Sequence, residues 1–174
     1  IIEAKANVEA LNGDCLSPLS IAATGGLHHA VDLLLSAKAD VNAGKDCTPL
    51  LEAIRWRHEG IATKLVNAGA DVFLHSPISM AVRDGSCNLC ELLLKNKVSP
   101  DTLCTAVKVP EPLLHLAARD NLRLTQMLLR HKASVNMLNS RREPAIMVAV
   151  KNNHFEATLS LIHISRAHET EENR

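Results

Sequence analysis

The feature that most limits what this chain can fold into is a pattern that occurs five times. Residues 17–42 open on Ser17-Pro18, pass through the small apolar segment Ile21-Ala22-Ala23, and reach a glycine pair at Gly25-Gly26. A second segment follows, with Ala30, Val31, Leu33, Leu34 and Leu35 at helical spacing, and the exit runs through Ala39-Asp40-Val41-Asn42. A serine hydroxyl caps free N–H groups and proline fits a first helical turn, so the spacing predicts a helix, a glycine break and a second helix. Each helix is too short to hold in isolation, and the pair carries more apolar surface than it can hide. The same order of events begins again at Thr48, Ser76, Glu111 and Glu143, in steps of 31, 28, 35 and 32 residues. Residues 4–10 match the closing part of one further unit. Such units bury their apolar faces by stacking on one another.

Three segments carry a likeness to a known family: Thr48-Pro49-Leu50, His115-Leu116-Ala117-Ala118, and Asn67-Ala68-Gly69-Ala70-Asp71-Val72. They resemble the ankyrin repeat family, whose T-P-L-H-x-A signature recurs at about 33 residues. The resemblance covers nearly the whole chain. It implies an all-α repeat solenoid of stacked helix-turn-helix ankyrin repeats with short β-hairpin fingers. The expected organisation is a truncated repeat over 1–11, then a repeat domain over 12–162 in units 12–44, 45–74, 75–102, 103–138 and 139–162. A polar tail over 163–174 completes it. Residues 159–170 read as the in-frame translation of a sequencing-library adaptor, the alternative being a polar cap ending in Glu169-Thr170-Glu171-Glu172, and residues 163–174 receive no function. The first residue is Ile1, and the chain reads as a fragment.

Composition agrees with thin helix pairs. Hydrophobic residues make up 47% of the chain but aromatics only 2%, with no Tyr, whereas an enzyme core of this size usually packs more rings. Lys and Arg number 19 against 19 Asp and Glu, so no net field draws the chain to nucleic acid or an anionic membrane. No apolar run approaches the ~20 residues of a membrane span. No signal peptide is expected, and the sequence has no Asn-x-Ser/Thr site. Five cysteines at irregular spacing make a poor disulfide framework and point to a reducing, intracellular setting, cytoplasmic or nuclear. Cys87-Asn88-Leu89-Cys90 has the C-x-x-C form of half a zinc site or a redox pair, but no second ligand pair follows. Its register places Cys90 on the apolar face of a second helix, which favours core filler over metal or redox chemistry. His28-His29 are adjacent on a helix and diverge by about 100°, which favours two separate polar side chains over a metal pair.

Departures from the family pattern mark candidate recognition residues. The second unit replaces the small inter-helix turn with Arg55-Trp56-Arg57-His58, and Trp56 is the sole tryptophan. The resemblance places Trp56 at the end of a first helix, facing the family's concave side; the competing reading folds the indole back between repeats. Only Leu74 and His75 separate Phe73 from Ser76, so one finger is nearly absent, while the next, Thr102 to Pro110, is long and apolar. His115 keeps the family's loop-tying histidine, where Ser20, Leu51, Ser79 and Ile146 stand in other units. The fourth unit is also one residue short between His115 and Ala133. Lys38, Lys97, Lys132 and Lys5 replace the family's left-handed glycine, which Gly69 retains.

No G-x-S-x-G, H-E-x-x-H, Walker or dinucleotide motif is present, and no enzyme, cofactor or metal site is expected. The expected function is a non-catalytic, monomeric protein–protein interaction scaffold that binds a partner protein through its concave face and finger tips. Its candidate contacts are Asp14, Lys45, Asp46, Arg55, Trp56, Arg57, Arg83, Asp84, Arg119, Asp120 and Lys151. The alternative is the substrate-recognition arm of a larger protein such as a ubiquitin-ligase receptor, a channel or a kinase.

Overall fold

A computed structural model describes residues 7–44, 46–105 and 107–172. The chain divides into two compact units, Ile1–Pro77 and Ile78–Arg174. The first unit contains two helix pairs: α1 (Pro18–Thr24) with α2 (His28–Ser36), and α3 (Pro49–Arg55) with α4 (Glu59–Asn67). The second follows α5 (Pro77–Arg83) and α6 (Cys87–Lys95) with a short hairpin, β1 (Leu103–Cys104) and β2 (Glu111–Pro112). It then adds α7 (Leu113–Asp120), α8 (Leu122–Arg130), α9 (Ala145–Lys151) and α10 (Phe155–Glu172). Within the first unit α1 packs on α3; within the second α7 packs on α9, and α8 packs on both α6 and α10.

Helices of seven to nine residues exist here because their ends are closed and one face is buried. Ser17 and Thr48 are N-caps whose hydroxyls accept the N–H of Ser20 and Leu51, each followed by proline. Leu50, Ile54, Ile61 and Leu65 are fully buried in the first unit, and Leu93, Leu113, Leu124 and Leu128 in the second. Each such side chain contributes about 1.5–3 kcal/mol. Cys90 is also fully buried, on the core side of α6, while Cys87 is half-buried. Leu161 is buried too, so α10 packs at a residue inside the stretch 159–170.

Second helices close in the left-handed conformation the substitutions imply. Lys38, Lys97 and Lys132 have φ of 62°, 67° and 62°, in the place where Gly69 has 93°. The following N–H groups of Ala39, Val98 and Ala133 reach back to Leu34, Leu93 and Leu128 at 3.0, 3.3 and 3.0 Å. Lys5 lies outside the described residues. The shortened link before Pro77 needs two consecutive left-handed residues, His75 and Ser76.

Two expectations about register change. The spacing starts the fourth and fifth units at Glu111 and Glu143, but the helix N-caps are Pro112 and Pro144, one residue later. Proline suits a cap because its φ is already fixed, here at −59° and −73°, although it supplies no capping hydroxyl. Counted from these caps, Met147 rather than Ile146 stands at the place of His115. Fingers are also less regular than hairpins throughout. Among the described residues, strand pairing is confined to β1 with β2 and a single bridge between Leu138 and Pro144. At Asn12-Gly13-Asp14 the loop closes on the Asn12 side chain, which accepts the N–H groups of Asp14 and Leu16.

Bonds between consecutive repeats run through their loops. Ser20 Oγ donates to the Cys47 carbonyl at 2.9 Å, and His115 Nε2–H to the Glu143 carbonyl at 2.9 Å. Ser79 Oγ donates to the Leu103 carbonyl at 3.5 Å. The two serines therefore do with a shorter arm what the family assigns to histidine. Further along, Asn42 and Asp101 side chains accept the N–H groups of Asp71 and Ser134 at 2.8 and 2.7 Å.

Candidate interaction surface

In four of the five repeats the turn between first and second helix holds one left-handed residue: Gly26, Arg57, Gly85 and Asn153. Gly26 is also confined by space, since a Cβ there would meet the His58 ring at 2.6 Å. The fourth repeat lacks this residue altogether. Asn121, at φ −124°, both ends α7 and caps α8, which is the structural form of the one-residue deletion.

The second repeat carries the largest exposed group on such a turn. Trp56 is the C-cap of α3 and is 56% exposed, so the indole is not folded into the core. Its ring nitrogen is nonetheless held. Nε1–H donates to Glu52 Oε2 at 3.2 Å, and Arg55 Nη1 donates to Glu52 Oε1 at 2.8 Å. Thr24 Oγ1, from the preceding repeat, lies 3.3 Å from the same Oε2 and shares its one hydroxyl proton between that oxygen and the nearer Ser20 carbonyl at 2.9 Å. Glu52 is only 4% exposed. Next to this cluster His58 Nε2–H donates to the Thr24 carbonyl at 3.1 Å, which fixes the turn against α1. The candidate list drawn from sequence omits Glu52. The signal was available, because Ile21, Met80, Leu116 and Val148 occupy its place in the other repeats.

Arg83, Arg119 and Lys151 stand at the place of Arg55 in their repeats, and each has a carboxylate partner. Arg83 Nε donates to Asp84 at 3.1 Å, and Arg119 Nη2 to Glu111 at 2.7 Å. Lys151 pairs with Glu143, which together with a hydrogen bond from Asn139 holds that carboxyl below its ordinary range despite some burial. Arg83, Asp84 and Asp120 meet at a cleft of about 320 Å³ inside the second unit, with Val82, Gly85, Leu116, Ala117, Asn121 and Leu124 as its other walls. Arg119 and Lys151 are exposed outside it. Asp14 and Asp46 lie exposed on loops of the first unit, apart from the Glu52 cluster, and Lys45 lies outside the described residues. His115 is 1% exposed, and burial lowers its pKa although the Glu143 carbonyl opposes the shift. With Nε2–H committed to that carbonyl, Nδ1 is a buried acceptor without a partner.

Among the described residues no helix is long and apolar enough to cross a membrane. No curated protein matches the chain. A solved structure described as the predatory endopeptidase Bd0816 from Bdellovibrio bacteriovorus in complex with immunity protein Bd3460 contains a similar chain. The match has 23% identity and a TM-score of 0.76, and it covers 92% of this chain and 86% of that one, a likeness of fold. The family described as ankyrin repeats (3 copies) matches residues 1–75 and 78–172. With the helix pairs, loop ties and left-handed closures above, that match establishes that the chain belongs to the ankyrin repeat family.

Proposed function

We propose that this chain is a non-catalytic protein-interaction module whose contact with a partner protein centres on Arg55, Trp56 and Arg57 at the end of α3. Ankyrin repeats generally serve protein–protein interaction, and the solved neighbour is itself part of a protein complex. The observation that carries the reading is Trp56, 56% exposed yet anchored through Nε1–H to a buried carboxylate. Exposing an indole leaves a large apolar area in water. Fixing it there lowers the entropy lost on binding, and Trp and Arg are the residues most enriched among energetic anchors of interfaces. Asp14, Lys45, Asp46, Arg83, Asp84, Arg119, Asp120 and Lys151 are proposed as further contacts. The module acts as a monomer, and inside the cell, a setting that five free cysteines support.

The test compares capture of the partner by the native chain and by Trp56→Ala, with urea unfolding of both. The expected result is a binding loss of about 2 kcal/mol or more with a stability change under about 1 kcal/mol. A variant that unfolds, while its folded fraction binds as before, makes Trp56 a core residue and sinks the reading.

A further inference from the structure

Glu52 stands where every other repeat has an apolar residue: Ile21, Met80, Leu116 or Val148. A buried carboxylate is a poor stabiliser, because desolvation offsets most of what its partners return, and an apolar side chain of similar size would hold the fold at least as well. Its environment nevertheless satisfies it. Oε1 accepts from Arg55 and Oε2 from Trp56, and Oε2 also takes a longer share of the Thr24 hydroxyl proton, whose nearer acceptor is the Ser20 carbonyl, so groups from two repeats converge on one carboxylate. Two of those donors are the exposed side chains at the end of α3, and the third ties the cluster to the neighbouring helix.

We propose that Glu52 is the positioning residue of the α3 surface. It holds the indole and the guanidinium in their exposed orientation and compensates the charge of Arg55. This rests on the reading that Trp56 is the contact, and it sharpens what the partner must be. The indole N–H is already donated and Arg55, one of its two neighbouring arginines, is already paired with Glu52, so what Trp56 itself offers is the apolar face of its ring. The partner it fits is an uncharged segment presenting aliphatic or proline side chains rather than an acidic peptide.

Trp56 is the only tryptophan, so intrinsic fluorescence reports on this site alone. Acrylamide serves as a neutral quencher and iodide as an anionic one, with circular dichroism to establish folding. Glu52→Leu should lower the anisotropy of Trp56 and raise acrylamide quenching, because the ring loses its tether. Glu52→Gln keeps an acceptor for Nε1–H and removes the charge. It should leave acrylamide quenching near native while iodide quenching rises roughly two-fold, as Arg55 becomes uncompensated. A folded Glu52→Leu with native anisotropy and quenching overturns the positioning role. If that variant does not fold, Glu52→Gln decides alone, and an unchanged iodide-to-acrylamide ratio overturns the proposal. In the native chain that ratio should match free N-acetyltryptophanamide; a value several-fold higher marks an anion-attracting site and overturns the apolar partner. None of these readouts involves a partner, so they stand or fall separately from the Trp56→Ala binding test.

Discussion

Helices α3 and α7 occupy the same place in their repeats, and each buries one polar side chain at adjacent positions of the register. They send its hydrogen bonds in different directions. In α7 His115 reaches forward to the Glu143 carbonyl and ties the following loop, while Leu116 fills the next position. In α3 the order is reversed: Leu51 is plain core, and Glu52 turns to Arg55, Trp56 and Thr24. The helix ends differ to match. α3 runs into an exposed tryptophan and a left-handed Arg57, whereas α7 ends directly in Asn121 with the left-handed residue deleted. One buried polar group serves the fold and the other serves a surface, and the difference shows which repeat departs from the pattern for reasons other than stability.

The contrast breaks if the two buried groups respond alike. His115→Ala should destabilise the chain by about 2–4 kcal/mol, from the lost volume and the unpaired carbonyl, as read by urea unfolding. Trp56→Ala should move that midpoint little and show its effect of about 2 kcal/mol in partner binding instead. Equal stability losses from both would erase the distinction.

Acid should sharpen it. Burial lowers the pKa of His115 in the folded chain below its unfolded value near 6.5. Between those two values the unfolded chain binds the extra proton, so stability is complete above about pH 6.5 and falls on acidification at up to about 1.4 kcal/mol per pH unit. His115→Gln should flatten that part of the profile between pH 7.5 and 5.5, and a profile unchanged by the substitution would remove His115 from the explanation.

The smallest effects concern backbone strain. Lys38→Gly and Lys132→Gly should each raise stability by about 0.5–1 kcal/mol, because glycine accepts φ near 62° without a Cβ clash. Greater freedom of glycine in the unfolded chain works against the gain. Arg57→Gly, at φ 59°, should stabilise by a similar amount while weakening the partner. A lysine pair that lowers the thermal midpoint would contradict the strain, and an Arg57→Gly variant that binds as the native chain does would take Arg57 out of the surface.

Much of this was legible in the sequence because it is written within a few residues. Ser17-Pro18 and Thr48-Pro49 specify helix starts, the apolar spacing specifies buried faces, and a lysine in a glycine's place specifies a left-handed closure. Capping, propensity and steric restriction act over one or two turns of chain. Trp56 could be placed at a helix end by counting alone.

What counting could not supply was who meets whom across a repeat. Glu52 looks like one more surface carboxylate until Thr24, 28 residues earlier in the chain, is seen to reach it. Ser20 and Ser79 look like losses of a tying histidine until their hydroxyls are found on the neighbouring loop. Glu111 and Glu143 look like unit starts because they precede proline, yet the helices begin after them and the two carboxylates pair with Arg119 and Lys151 eight residues on. Local rules determined the helices, the turns and the tryptophan's place at a helix end. The tertiary structure alone decided which polar groups are buried and what they hold, because burial and hydrogen-bond partners arise only when separate repeats are brought into contact.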